Sequence, residues 1–591
     1  MVKNLPAEKR VSMRTDLIRA GVLVIITALI WCVIYNRMSV ESWQIPLAYL
    51  SNPMKGDVLV TLATTKAASE GHVWPFLFTN VPELGAPYGA NWDDFPVTEK
   101  PLICLMGLLA RIMGVFAAAN FAVLLGHALA AVSFYAACRI LNCSWPWSFA
   151  GALIFAFAQY AFGHGLHHIT VLYYWHVPLC LVVSAWIIRG EGIKLGERRF
   201  IFALVVAFVT GVQNVYYTNM FAQLVLIGGL VQAWLHGWRR ALSAAAVIGT
   251  MAGAFLLMNL NTIFYHLTYG GNEHAVVRNY RWLEIYGLKL VDLVIPPPDH
   301  RFPLFAAWGA DHLKELVLSP GEMPPTAYMG IVGLAALTWL VIVSLRGAII
   351  HARLPLEALL ILWIFLYANV GGINGIVGTV GIQLFRATTR YSIFVLCIVL
   401  MYAANRLSTV KFKDKMLVYG AAILVVLIAL WDQLPPQVSQ TDLDTTAKTM
   451  ASDRSFTEAI EKRLPPQAMI FQIPIMEFPE SPGPGVGSYD HFRPYLYSHS
   501  LRFSFGSDKG RPLQAWQQQL GQAPFNDIVS RLESYGFAAM YVNRNAFGDK
   551  GDGLIKACQA SGHNEIIESD QGDLFCVLLK PSPQPVLPNA P

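Results

Sequence analysis

Long apolar runs alternate with short polar loops over roughly the first 430 residues of the chain. A helix needs about 20 apolar residues to cross about 30 Å of hydrocarbon, and runs of this length recur throughout this part. The pattern predicts about eleven membrane-spanning helices, which we place at 17–36, 117–138, 146–164, 170–188, 200–218, 220–235, 241–262, 326–345, 355–372, 390–405 and 416–432.

The pattern changes after residue 432, where the apolar runs become short and polar residues separate them. A helical pattern covers 524–535. Short runs with the composition of β-strands occur at 469–473, 538–542 and 574–579. We therefore predict an all-α polytopic membrane domain over 1–432 and a C-terminal α/β domain over 433–591.

Two long polar loops interrupt the apolar pattern, at about 37–116 and about 263–325. In the first loop, residues 55–70 place apolar side chains on one face, which predicts a short helix lying along the membrane. Residues 101–113 predict a second helix, interfacial or half-inserted, and residues 282–293 show helical spacing in the other long loop. Interfacial helices are therefore expected to cover one face of the membrane domain.

Basic residues fall in the loops on one side of the predicted spans, and the positive-inside rule assigns that side to the cytoplasm. They are Arg10, Arg14, Arg19, Arg139, Arg189, Lys194, Arg198, Arg199, Arg239, Arg240, Arg346, Arg353, Arg406, Lys411, Lys413 and Lys415. The opposite side receives both long loops and the C-terminal domain. We therefore predict a cytoplasmic N-terminus and a C-terminal domain on the outer side.

Composition supports the membrane assignment, because hydrophobic residues make up 55% of the chain and charged residues 14%. The first apolar run is long, ends in Asn36-Arg37 and lacks a small-residue cleavage site. We expect it to remain as a helix and not to act as a cleavable signal peptide. The net charge of +5 is spread over short loops, so membrane lipids are expected partners and nucleic acid is not.

Most of the cysteines lie in or beside apolar runs, without a Cys-x-x-Cys pair. Cys558 and Cys576 are the cysteines of the C-terminal domain. Because that domain is assigned to an oxidising compartment, we predict a disulfide between them. The alternative is two buried free thiols in a domain on the other side of the membrane.

Asp57 stands in the first long loop, shortly after the first apolar run and near the start of the predicted helix 55–70. Ionisable residues at membrane depth are costly and are therefore functional candidates. A carboxylate that faces a cavity can act as a general base toward an incoming hydroxyl, and partial burial would raise its pKa toward a useful range. The alternative is an acidic residue that favours the dipole at a helix start.

Three cations are candidates for holding a phosphate. Lys100 precedes Pro101 where the chain returns to the bilayer, so it would bind phosphate as a point charge or extend to lipid headgroups. Arg386 and Arg390 open the tenth predicted span four residues apart, which places both on one helical face. Two guanidinium groups there suit a phosphate or pyrophosphate, and contact with lipid headgroups is the alternative.

His164, His167 and His168 share a helical face at the end of the third predicted span. Such spacing can ligate zinc, but no carboxylate or cysteine accompanies these histidines nearby in the sequence. We expect them to line the substrate cavity, with hydrogen bonds to substrate or to lipid phosphate.

Other polar residues are candidates for the same cavity. Gln213, Asn214 and Tyr217 lie near the end of the fifth predicted span, where helix-to-helix hydrogen bonding is the alternative. Asp93 and Asp94 would bind a divalent cation or form a turn, and we favour the turn because they are adjacent in a loop that contains proline. Asp94 is kept as a cavity candidate.

The sequence contains no Walker A loop, no His-Glu-x-x-His and no Gly-x-Ser-x-Gly motif. Energy or an activated substrate must therefore come from elsewhere.

With these features the chain resembles the GT-C superfamily of membrane glycosyltransferases, and within it the protein O-mannosyltransferases and the aminoarabinose transferase of lipid A. The matching features are Asp57 in the first outer loop, Lys100-Pro101-Leu102 before an apolar helix, the plan of eleven spans and the outer C-terminal domain. The stretches from Phe385-Arg386 to Arg390 and from Asp292 through Pro296 to His300 are similar to YfhO-like bacterial membrane proteins of the same superfamily.

The resemblance implies an inverting glycosyltransferase of the bacterial inner membrane, which takes a sugar from a polyprenyl-phosphate donor and acts on the periplasmic face. Asp57 would activate the acceptor hydroxyl, while Lys100, Arg386 and Arg390 would neutralise the departing lipid phosphate. The acceptor would be an envelope glycan, lipid or protein. No cofactor is expected, because a monophosphate leaving group needs no metal ion.

Two other classes of protein remain as alternatives. A transporter or flippase for a lipid-linked glycan would show paired hydropathy repeats and broken helices, which the sequence pattern does not indicate. A non-catalytic assembly subunit for an envelope polymer would not need Asp57 together with three well-placed cations.

Overall fold

In the computed structural model the described residues are 13–50, 57–95, 97, 99–191, 196–316, 326–411 and 413–588. Arg10 and Lys194, which enter the charge argument, and the start of the predicted helix 55–70 lie outside them. The helices of the membrane part are α1 (Met13–Ile34), α2 (Val58–Glu70), α3 (Lys100–Met113), α4 (Val115–Ile140), α5 (Trp145–Ala156), α6 (Gln159–His164), α7 (Ile169–Leu172), α8 (Val177–Arg189), α9 (Arg198–Gly211), α10 (Val215–His236), α11 (Leu242–Met258), α12 (Leu260–Tyr269), α13 (Arg281–Ile285), α14 (Pro303–Glu315), α15 (Gly330–His351), α16 (Leu356–Ala368), α17 (Ile373–Thr379), α18 (Ser392–Thr409) and α19 (Lys415–Gln433).

Among the described residues, seven helices are long and apolar enough to cross a membrane. They are α1, α4, α10, α15, α19 and the helices Trp238–Met258 and Thr388–Thr409, which include α11 and α18 with their 3-10 first turns. The shorter apolar helices α8 and α16 accompany them. The chain is a multi-pass membrane protein, and the number of eleven spans stays a prediction.

The predicted spans 146–164 and 170–188 are broken by short non-helical segments. Phe157 and Ala158 separate α5 from α6, and residues 173–176 separate α7 from α8. Pro178 favours the start of α8, because proline suits the first turn of a helix and has no amide hydrogen to donate. Non-helical backbone is tolerated at membrane depth where protein covers it, and Phe157, Ala158 and Tyr174 are buried.

The helices predicted in the first long loop are present as α2 and α3, and their position along the membrane stays a prediction. An antiparallel ribbon of β1 (Asn80–Val81) and β2 (Ala90–Asn91) lies between them in the sequence. Val58 and Leu62 of α2 are buried, and α2 packs between α3 and the C-terminal domain. On α3, Leu108 and Ile112 stay exposed as a surface for lipid. In the second long loop, the predicted helix is divided into α13 and a 3-10 helix, Leu290–Leu293.

The C-terminal domain is α/β, as predicted. Its elements are α20 (Gln440–Glu461), β3 (Met469–Ile473), α21 (Arg493–Tyr497), β4 (Arg502–Phe503), α22 (Pro512–Gly521), α23 (Phe525–Ser534), β5 (Phe537–Asn543), α24 (Asp552–Ala560), β6 (Ile566–Glu568) and β7 (Leu574–Leu578). The sheet order is β4-β3-β5-β7-β6, with β3 parallel to β4 and β5, and β7 antiparallel to β5 and β6. Every residue of β5 is buried, as expected of a central strand covered on both faces. The boundary between residues 432 and 433 stays a prediction.

The first long loop extends the edge of this sheet. The amide of Phe503 in β4 donates to the carbonyl of Glu83 at 2.8 Å, and the amide of Ala86 donates to the carbonyl of Phe503 at 2.9 Å. The amide of Gly85 donates to the carbonyl of Phe505 in the same way, at 2.9 Å. The loop therefore satisfies backbone groups that an open edge strand would leave unpaired.

Buried polar contacts join the same two parts of the chain. The ammonium group of Lys66 on α2 donates to the carbonyls of Tyr495 at 2.8 Å and Ser498 at 2.6 Å. Tyr49 of the first loop donates its hydroxyl to Asp453 at 2.6 Å, and Asp453 is paired with Arg493 inside the C-terminal domain. These contacts hold the C-terminal domain against α2 and the first loop.

The predicted disulfide is wrong, because Cys558 and Cys576 are both buried free thiols. Along β7, Phe575 and Val577 pack on the sheet face that holds Cys558 of α24, whereas Cys576 packs on the opposite face. Successive side chains of a strand point to opposite faces, so the sheet separates the two sulfurs.

Candidate active site between the first loop and the C-terminal domain

A cavity of roughly 270 Å³ lies between α2, the loop that follows it, α3 and the C-terminal domain. Its charged and aromatic lining includes Asp57, Lys100, Glu480, Asp508, Trp92 and Tyr489. Two residues predicted from the sequence, Asp57 and Lys100, therefore line the same space.

Asp57 occupies the position just before α2, yet its side chain makes no capping hydrogen bond to the described residues of that helix. Its Oδ2 atom instead lies 3.2 Å from Nε2 of His168, which comes from the turn before α7. A role restricted to the helix dipole does not account for this contact.

The pKa of Asp57 shifts opposite to the sequence-based expectation. Burial by itself would raise this pKa, but the hydrogen bond from His168 and the charges of His168, His167 and Arg390 hold it below its ordinary value. The expected rise is therefore wrong, and Asp57 is a carboxylate at neutral pH.

The three histidines are close together, but they do not share one helix. His164 ends α6, and Gly165 follows in the left-handed region with φ +46°. The ring of His168 lies 5.7 Å from that of His164 and 4.8 Å from that of His167. The turn therefore gathers three imidazoles near Asp57, but His164, His167 and His168 lie outside the described cavity lining, so the prediction that they line the cavity is wrong.

Arg386 and Arg390 also depart from the predicted geometry, because the helix begins at Thr388 and Arg386 precedes it. They therefore do not share a helical face. The guanidinium carbon of Arg390 lies 4.6 Å from the ring centre of Tyr216, and its charge acts on Asp57.

Arg386 belongs to a second charged group at the rim of the cavity. Its guanidinium lies 4.2 Å from the ring centre of Trp282 and 3.9 Å from the carboxylate of Glu480. Arg278 lies 3.2 Å from the other oxygen of Glu480. Arg278 was not predicted from the sequence, because it stands in a polar loop without a motif. Glu480 links both arginines to the cavity wall.

Lys100 begins α3 and is turned inward, with 4% of its surface exposed. Its ammonium group donates to the carbonyl of Met258 at 3.2 Å and to the side-chain oxygen of Asn261. Burial lowers its pKa to about 8. A buried lysine does not extend to lipid headgroups, so that alternative does not describe the structure, and the phosphate-binding role of Lys100 stays a prediction.

The polar residues near the start of α10 do not line this cavity. Asn214 accepts a hydrogen bond from the amide of Tyr216 at 3.2 Å and donates to Thr170 at 3.3 Å. The hydroxyl of Tyr217 lies 2.8 Å from that of Tyr160. Gln213 stands in the turn before α10. For Asn214 and Tyr217 the helix-to-helix alternative describes the structure better.

Asp94 is a turn residue that binds the C-terminal domain and lies outside the described cavity lining. Its carboxylate accepts from both Nε and Nη2 of Arg511, the first at 2.8 Å, and from Asn272 at 2.8 Å. Asp93 accepts from the amide of Thr79 at 2.9 Å. Both carboxylates are engaged by protein donors, so the substrate-cavity prediction for Asp94 is wrong.

One cluster among the described residues brings three possible metal ligands together. Glu70, His72 and Glu83 each place a ligand atom within 4.8 Å of the others. The carboxylate of Glu70 is already 3.1 Å from the ammonium of Lys66 and accepts from Tyr495 at 2.7 Å. These contacts of Glu70 therefore indicate a cluster that attaches the C-terminal domain to α2.

Asp508 is a cavity residue that sequence reasoning missed. It lies in the loop after β4 and is 4% exposed. Burial, with smaller contributions from the charges of Asp94 and Asp93, raises its pKa well above the ordinary value. The sequence signal was weak, because Gly506-Ser507-Asp508 has the composition of an ordinary turn.

No protein-family model matches the sequence, and no curated protein matches it. Comparison with solved structures returns ArnT from Cupriavidus metallidurans bound to undecaprenyl phosphate, with a TM-score of 0.41 and 14% identity over 98% of this chain and 100% of that chain. It also returns the oligosaccharyltransferase AglB from Archaeoglobus fulgidus in complex with an inhibitory peptide and a dolichol-phosphate, with a TM-score of 0.42 and 12% identity over 89% of this chain and 69% of that chain.

Proposed function

We propose that the chain is a membrane glycosyltransferase of the bacterial inner membrane. It transfers a sugar from a polyprenyl-phosphate donor to a hydroxyl group of an envelope glycan, lipid or protein on the periplasmic face. The observation that carries this proposal is the placement of the Asp57 carboxylate in one cavity with Lys100, within reach of the charge of Arg390.

In the proposed reaction the Asp57 carboxylate accepts the proton of the acceptor hydroxyl while that oxygen bonds to the anomeric carbon of the sugar. The bond between the anomeric carbon and the donor phosphate oxygen breaks, and its electron pair leaves on the lipid phosphate. Attack from the face opposite the phosphate inverts the anomeric carbon.

The cations around the site oppose the charge that grows on the leaving phosphate. Lys100 lines the cavity, the charge of Arg390 acts on Asp57, and Arg386 is paired with Glu480 of the cavity lining. Preorganised cations of this kind stabilise developing negative charge. The proposed reaction therefore uses no metal ion.

Transfer of a labelled sugar tests this function. Purified protein in nanodiscs is incubated with undecaprenyl-phosphate sugars and with envelope fractions, and the label is followed into glycan, lipid and protein. Transfer by the wild-type protein and not by Asp57→Asn supports the proposal. Movement of intact donor across a vesicle membrane without transfer would instead favour the flippase alternative.

Arg390→Ala and Arg386→Ala are each expected to weaken binding of undecaprenyl phosphate, by roughly ten- to a hundredfold. Arg390→Lys and Arg386→Lys should recover part of that affinity, because lysine keeps the charge but loses the planar fork. Native mass spectrometry with undecaprenyl phosphate measures the change. Arg346→Ala, at an exposed position on α15, is the matched control. Wild-type affinity in both Arg386→Ala and Arg390→Ala would contradict the assignment.

His168→Gln is expected to move the acid limb of the pH profile of kcat/KM to higher pH. His168 now helps to hold the pKa of Asp57 below its ordinary value, so its removal raises that pKa. A larger fraction of Asp57 is then protonated, and inactive as a base, at a given acidic pH. The exposed His499 provides the control His499→Gln. Loss of turnover at every pH would instead identify His168 as the base.

A further inference from the structure

The C-terminal domain contributes a buried carboxyl group to the cavity. Asp508 lines the same space as Asp57 and Lys100, and its Oδ2 atom has no hydrogen-bond partner among the residues that the structure describes. A buried polar atom without a partner is unfavourable, so a hydrogen bond from a group bound in the cavity would stabilise it.

The protonation state of Asp508 determines what it can bind. Burial and the neighbouring charges of Asp94 and Asp93 favour the neutral form of its carboxyl. A neutral carboxyl has one hydroxyl donor and a carbonyl acceptor, and the carboxyl of Asp508 already accepts a hydrogen bond from the backbone amide of Asp94. A sugar hydroxyl, which can accept a hydrogen bond, is complementary to the remaining hydroxyl donor.

Aromatic rings belong to the same cavity lining as Asp508. Trp92 and Tyr489 both line the space, and the ring centre of Trp92 lies 5.8 Å from that of Phe478. The indole nitrogen of Trp92 donates to the carbonyl of Gly506 at 2.8 Å, which holds the ring beside the Asp508 loop. Flat apolar rings beside a few polar groups suit the apolar C–H face of a sugar ring.

The backbone around Asp508 is held from two sides. The amide of Lys509 donates to the carbonyl of Phe478 at 2.7 Å, and Arg511 binds Asp94 of the first loop. A side chain supported in this way is preorganised, as a selective site requires.

We propose that Asp508 is a specificity-determining residue that hydrogen-bonds a hydroxyl of the transferred sugar, whose ring packs beside Trp92 and Tyr489. This inference rests on the proposed glycosyl transfer and narrows it. A cavity of roughly 270 Å³ lies near the small end of ligand sites, which suits a donor whose transferred unit is a single monosaccharide.

Binding of donors with and without a sugar tests the role of Asp508. The probes are undecaprenyl phosphate alone and undecaprenyl phosphate carrying glucose, galactose, mannose or N-acetylglucosamine. Wild-type protein is expected to bind at least one of the sugar-bearing lipids more tightly than the bare lipid. Asp508→Ala should lose that added affinity by about tenfold or more, because a sugar hydroxyl then lacks its partner. Affinity for undecaprenyl phosphate alone should stay unchanged.

Two further measurements separate recognition from a structural role. Asp508→Asn keeps the shape with a donor and an acceptor, so it should retain part of the added affinity and have a Tm equal to or above that of wild type. Asp527→Ala, at an exposed position on α23, should leave binding of every probe unchanged. Equal loss of affinity for bare and sugar-bearing lipid in Asp508→Ala would overturn the inference, as would wild-type affinity for both.

These results are distinguishable from failure of the proposed function. Wild-type protein that binds no undecaprenyl phosphate and transfers no sugar would reject the proposed function and this inference together. Sugar transfer that is unaltered in rate and sugar preference by Asp508→Ala would reject this inference alone.

Discussion

Asp57→Asn is expected to reduce turnover by roughly a hundredfold or more, because a positioned general base contributes about 10²–10⁴ to a rate. Asparagine keeps the size of the side chain but cannot accept the proton of the acceptor hydroxyl. Affinity for undecaprenyl phosphate should remain near that of wild type, because the cations of the site are unchanged. Single-turnover transfer of labelled sugar, measured beside donor binding, separates the two quantities.

Asp57→Glu should also retain little activity, since one additional methylene displaces the carboxylate from His168 and from the reacting hydroxyl. The control is Asp527→Asn, an exposed carboxylate in the first turn of α23, which should have wild-type turnover. Asp94→Asn is not a suitable control, because Asp94 is buried and paired with Arg511. Wild-type turnover in Asp57→Asn would reject the catalytic role and favour a non-catalytic assembly subunit.

Arg493→Met is expected to lower the free energy of unfolding of the C-terminal domain by about 3–5 kcal/mol. Arg493 and Asp453 have 2% and 1% of their side chains exposed, and Nε of the arginine lies 2.9 Å from the carboxylate. Arg493 also lies 2.8 Å from Asp573. Its removal leaves two carboxylates without a counter-charge. Denaturant unfolding in nanodiscs, followed with limited proteolysis of the domain, measures the loss.

Arg463→Ala provides the matched control, because Arg463 forms an exposed pair with Glu565 in the same domain. That change should cost less than about 1 kcal/mol. The double variant Asp453→Asn, Arg493→Met should be less destabilised than Arg493→Met alone, because one uncompensated buried charge is removed with its partner. Equal stability of Arg493→Met and Arg463→Ala would show that the buried network does not hold the domain.

The sequence predicted most secondary structure of the membrane part, because span length is a local property. Each predicted apolar run contains a helix, and α3 lies where an interfacial helix was expected. The breaks between α5 and α6 and between α7 and α8 were not predicted. Elements that are distant in the sequence bury these segments, and this burial cannot be predicted from the local hydropathy pattern.

In the C-terminal domain, too, the elements with a clear local pattern were predicted, and those that depend on distant pairing were not. The predicted strand 469–473 coincides with β3, and the predicted helix 524–535 contains α23. The two-residue strand β4 was missed, because its pairing with β3 and with the first loop supplies its regular structure. The disulfide prediction failed because two cysteines in one compartment are close only if the sheet places them on the same face.

The sequence by itself determined that the chain is a multi-pass membrane protein with an α/β domain at its end, and it selected Asp57 and Lys100 as candidates. Apolar run length, alternation and unusual charge at membrane depth are visible in neighbouring residues. Only the tertiary structure decided which groups meet. Packing of distant elements brings His168 to Asp57, turns Lys100 inward, engages Asp94 with Arg511 and adds Asp508 to the cavity. Burial and neighbouring charge then determine the protonation of each carboxyl, and both arise from that packing.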